Sequence, residues 1–126
     1  MRRSALLVLL CLAGCSQGYG RGELSPSETD ALAETLRAYM SAQEVHFSRH
    51  STYSTDLGAL GVTTDGSTIE VLSANAQGHA AVVTHDEHGD DVGCAVYVGS
   101  ATPPRTPNGL TATAEGVVVC DEGTAD

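Results

Sequence analysis

The spacing of apolar residues changes once along this chain, and that change limits the folds open to it. Between Ser25 and His50, Leu32, Leu36, Tyr39, Met40 and Phe47 fall at helical separations. From Ser67 onward the period is two, and residues 67–73, 80–85, 94–98 and 116–120 each read as a strand. The joins 75–78 and 86–93 are short, which favours antiparallel neighbours. One long helix laid across a three- to four-stranded antiparallel sheet is an α+β fold.

Local signals agree with this division. Ser25 fits the N-cap, Pro26 the first helical position, and Glu28 the far corner of a capping box. The helix is expected to end near His50, where Ser51-Thr52 opens a polar turn. Residues 55–61 read as a short helical turn stopped by Gly61, and 100–110, with Pro103, Pro104 and Pro107, as a loop. Leu36, Met40 and Phe47 are expected beneath the sheet.

The first fifteen residues follow a different logic. Arg2-Arg3, an apolar run from Ala5 to Leu12 and the small residues Ala13-Gly14 make a secretory signal, too short to stay as a membrane span. Leu12-Ala13-Gly14-Cys15 resembles the lipobox of bacterial lipoproteins. That resemblance implies diacylglycerol on the Cys15 sulfur and cleavage just before it. The expected organisation is a signal peptide at 1–14, a Gly-rich tether at 15–24, a domain at 25–121 and a disordered tail at 122–126. Fully extended, ten tether residues reach about 33–36 Å, enough to clear the headgroups.

Charge narrows the partners. The chain carries 6 basic and 16 acidic residues, a formal net charge of −10, and no Lys. Cleavage before Cys15 removes Arg2 and Arg3 and no acid, which takes the charge to −12. Such a surface repels phosphate backbones, so nucleic-acid binding is not expected. Membrane attachment must then come from acyl chains rather than a basic patch.

Of the four cysteines, Cys11 leaves with the signal and Cys15 takes lipid. Cys94 and Cys120 remain in an oxidising compartment, too far apart for a Cys-x-x-Cys motif, and are expected to form a structural disulfide.

Ala42-Gln43-Glu44-Val45-His46-Phe47, Tyr53 after a polar turn, and Asp56 to Gly61 together resemble the middle of type IV pilins and pseudopilins. The resemblance spans about residues 28–120. It implies a helix, a Gly-x-Tyr-like turn, three or four strands and a Cys pair tying the last segment to the sheet. Two departures stand out: Ser51 occupies a position where the family often has Gly, and residues 16–27 lack the hydrophobic half-helix that packs pilin filaments. The expectation is a pilin-like head on a lipid anchor in the cell membrane or outer membrane, facing the periplasm or exterior. The resemblance implies envelope proteins of a pilus or type II secretion apparatus as partners.

Groups able to do chemistry are few. His85-Asp86-Glu87-His88-Gly89-Asp90-Asp91 could collect Ca²⁺, Zn²⁺ or Cu²⁺, with His85, Asp86, His88 and Asp90 as the donors. The alternative is a solvated acidic turn between strands. His46 and His50 share a helix face but have no third ligand in view. Gly18-Tyr19-Gly20 lies in the tether with no strand before it, so it is not a nucleotide fingerprint. The chain is therefore expected to be a non-enzymatic module with no cofactor, a metal-binding lipoprotein being the alternative.

Overall fold

The computed structural model describes residues 24–121. The expected signal peptide, Cys15, most of the expected tether and the expected tail at 122–126 lie outside the described residues. Helix α1, Pro26–His50, starts with the expected capping box: Glu28 N–H donates to the Ser25 hydroxyl, and Ser25 N–H donates to Glu28 Oε1. These reciprocal bonds satisfy two of the donors that a helix start leaves open. A single short turn, α2 (Leu57–Leu60), follows, capped by Asp56 and ended by Gly61.

Four strands, β1 (Ser67–Asn75), β2 (Gly78–His85), β3 (Gly93–Gly99) and β4 (Val119–Cys120), make an antiparallel meander in the order β1-β2-β3-β4. The expected α+β architecture is present. A two-residue turn joins β1 to β2, its Asn75 Oδ1 accepting from the N–H groups of Gln77 and Gly78. Gly78 is required here, because a Cβ would lie 2.4 Å from the Val98 carbonyl oxygen.

Alternation sorts the strands into two faces. Ile69, Ala81, Val83, Cys94 and Val96 face α1 and form the core with Leu32, Leu36 and Tyr39. Thr68, Glu70, Val82 and Thr84 turn the other way. A bulge between Val71 and Ser73 leaves Leu72 48% exposed.

Three expectations are corrected. Leu24, placed in the tether, is buried in the core, so the packed domain includes it; an apolar side chain next to the N-cap finds the sheet within reach. Residues 116–118 are not strand. Gly116 adopts φ 78° and Val117 N–H bonds Ala114 in a turn, so the valine run pairs only at Val119–Cys120. Phe47 is half-buried rather than under the sheet. The buried helix residues are Leu32, Ala33, Leu36, Tyr39 and Gln43, and by the last turn α1 meets the Thr52–Ser54 segment instead of a strand.

Cys94 and Cys120 are directly opposed on β3 and β4, with sulfurs at the bonding distance of 2.06 Å and Cα atoms 4.0 Å apart. Beside them Asp121 is buried and accepts from Gly93 N–H, Asn108 N–H and the Thr106 hydroxyl. One carboxylate thus ties the long 100–118 loop to the start of β3.

Candidate metal centre at the start of the helix

β2 runs from the middle of α1 back to its beginning. Its odd positions, His79, Ala81, Val83 and His85, all face the helix. At one end His79 meets Tyr39, and at the other His85 meets Glu28. Eleven helical residues rise about 16 Å and six strand residues about 20 Å, so the two spacings match when the elements lie antiparallel.

At the Glu28 end, three side chains converge. His88 Nε2 lies 3.1 Å from Glu28 Oε1 and 3.2 Å from Oε2, while His85 Nε2 lies 3.7 Å from Oε2. The donor atoms of Glu28, His85 and His88 are all within 4.8 Å of one another. The imidazoles meet edge to face, with centroids 4.9 Å apart. Each residue is held by backbone structure: Glu28 by the capping box, His85 by its register opposite Ser67, and His88 by its N–H bond to the His85 carbonyl. The Ser25 N–H first, and then His88, hold the Glu28 carboxyl below the usual carboxylate range, outweighing the upward push of partial burial. It is an anion at neutral pH.

The site thus differs from the set read in the sequence. His85 and His88 take part. Asp86 does not, because it points to solvent and accepts from the Thr68 hydroxyl at 2.8 Å. Asp90 lies in the 3-10 turn Gly89–Asp91, and its side chain is outside the described residues. Glu28, sixty residues from His88, supplies the carboxylate. Its place in a capping box was legible, but its nearness to the β2–β3 turn depends on how the helix lies on the sheet.

His46 and His50 do stack, with centroids 4.4 Å apart. His46 Nδ1–H donates to the Thr52 carbonyl, and among the described residues no third donor joins the pair.

A second polar group is centred on His79, which the sequence reading does not single out. His79 is fully buried, and Tyr39, Gln43 and the Ser54 backbone extend a chain of hydrogen bonds from it. Gln43 also accepts from Ser54 N–H, Tyr53 donates to Glu44 Oε2, and Phe47 stacks on Tyr53 at 4.7 Å. Gln43, Glu44, Phe47 and Tyr53 are the residues that lock the helix exit to the following turn.

No protein-family model matches the chain, and no curated protein matches it significantly. Among the described residues no helix is long and apolar enough to cross a membrane.

Proposed function

We propose that this chain is a lipid-anchored envelope protein whose pilin-like head is a non-catalytic interaction module, working beside a pilus or type II secretion apparatus. The observation that carries the reading is the locked helix exit. Gln43, Glu44, Phe47 and Tyr53 all serve one structural purpose at the position where pilin-like sequences place those residue types. The Cys94–Cys120 pair at the end of the sheet fits the same pattern. The anchor rests on Leu12-Ala13-Gly14-Cys15.

The surface offered to a partner is the sheet face turned away from α1. Thr68, Glu70, Leu72, Val82 and Thr84, with Arg105 and Pro107 from the 100–118 loop, line an open groove of about 430 Å³. On a chain of net charge −10, such a face suits a partner with a basic surface. A photo-cross-linker at Thr84 in intact cells, followed by mass spectrometry, tests this. The expected adduct is an envelope protein, absent when the cross-linker is placed at Ala38 on the exposed side of the helix. Equal adducts from both positions, or none from Thr84, would contradict the reading.

A further inference from the structure

We propose that Glu28, His85 and His88 bind one divalent ion of the zinc or copper class, with water completing the coordination. An ion about 2.0–2.1 Å from each donor in a tetrahedral site needs donors roughly 3.3 Å apart. With Glu28 Oε2 as the donor, the edge to His88 Nε2, at 3.2 Å, already meets that spacing, and the edge to His85 Nε2, at 3.7 Å, needs a small closure. Two imidazoles and one carboxylate suit zinc or copper far better than Ca²⁺ or Mg²⁺, which take oxygen ligands. The three side chains are 17–29% exposed, so one side of the ion stays open to water.

Two features act against binding and set its strength. The positive end of the α1 dipole disfavours a cation, an effect offset by the Glu28 charge and by Asp86, Glu87 and Asp91 on the adjoining turn. Glu87 N–H also donates to His85 Nδ1 at 3.2 Å. An imidazole that ligates through Nε2 carries its proton on Nδ1, so this contact must open when the ion binds. Glu28 and His88 are therefore the dominant ligands and His85 the weaker third. Bound metal would clamp the first turn of α1 to the β2–β3 turn.

The test is calorimetric titration of the tag-free full chain, stripped with chelator, with ZnCl₂ and separately with CuCl₂. One ion per chain is expected, with a rise in melting temperature. Glu28→Gln, which keeps the capping hydrogen bonds, and His88→Ala should each weaken binding about tenfold or more and abolish the thermal shift. The double change His46→Ala with His50→Ala should leave both intact. In the unmutated protein, added Zn²⁺ should shift the ¹⁵N resonances of the His85 and His88 imidazoles, a readout independent of any folding defect in the variants. The proposal is overturned by absence of uptake, or by binding that survives Glu28→Gln and His88→Ala. Loss of binding in the His46/His50 variant would also overturn it, as would ¹⁵N shifts confined to those two rings.

Discussion

The Tyr39 hydroxyl lies 2.9 Å from Nδ1 of His79, at the centre of the helix–sheet interface, and both side chains are fully buried. Because Gln43 Nε2 already donates to the Tyr39 oxygen, the phenol proton goes to His79 Nδ1 and the ring carries its own hydrogen on Nε2. Among the described residues that Nε2 has no hydrogen-bond partner. Burial pushes the Tyr39 hydroxyl up to about 12 and lowers His79 to about 4, so both stay neutral at physiological pH.

Acid should therefore unfold this protein partly through His79. Above about pH 6.5 the ring is neutral whether the chain is folded or not, and it adds no pH dependence. Between 6.5 and about 4 the unfolded chain takes up a proton that the folded one refuses, so stability falls as pH falls. The total is on the order of 3 kcal/mol. Urea denaturation at pH 7.5 and 4.5 should show a larger acid loss in the unmutated protein than in His79→Leu. Equal losses would place the titration elsewhere.

Ser51 ends α1 with φ 60° and ψ 27°, a left-handed conformation that costs an L-residue about 1 kcal/mol. Its side chain is exposed and its backbone N–H bonds the Phe47 carbonyl, which glycine would retain. Ser51→Gly should stabilise the fold by about 0.5–1 kcal/mol by chemical denaturation. A loss of stability would mean that the cap is not left-handed in solution.

Asp121 should be the most sensitive position of the C-terminal segment. Removing its carboxylate leaves the Gly93 and Asn108 N–H groups and the Thr106 hydroxyl without an acceptor. Asp121→Ala is expected to cost about 2–4 kcal/mol. Amide exchange should speed up at Gly93 and Asn108 before the helix is affected; unchanged protection there would contradict the assignment.

The disulfide should matter as much, since β4 pairs with β3 at only two positions, Cys94↔Cys120 and Ala95↔Val119. A closed loop of about 26 residues corresponds to roughly 3–4 kcal/mol. Reduction should lower stability by that amount and loosen the 100–118 loop. A melting curve indifferent to reductant would show that the pair does not hold the segment.

How much of this was legible in the sequence depends on the range of the interaction. The capping box at Ser25 and Glu28, the stop at Gly61 and the period-two runs are local, so neighbouring residue types suffice to reveal them. Gln43 carries no local sign of burial, yet it is buried because its amide finds the Ser54 backbone eleven residues away. His79 stood next to an expected strand and was passed over, although His79, Ala81, Val83 and His85 share one alternating face. Two of the three metal-candidate residues, His85 and His88, are visible as a cluster. The carboxylate is not, since pairing Glu28 with His88 requires knowing that α1 and β2 lie antiparallel.

The lipid anchor is the central functional claim, and Cys15 tests it most directly. Cells expressing the native chain and Cys15→Ser should be labelled with radioactive palmitate and separated into membrane and soluble fractions. The native protein should carry label and remain with the membranes. Cys15→Ser should lose the label and leave the membrane fraction, with the domain of residues 24–121 still folded, because the core is built from those residues. A Cys15→Ser protein that still incorporates fatty acid and stays membrane-bound would contradict the account.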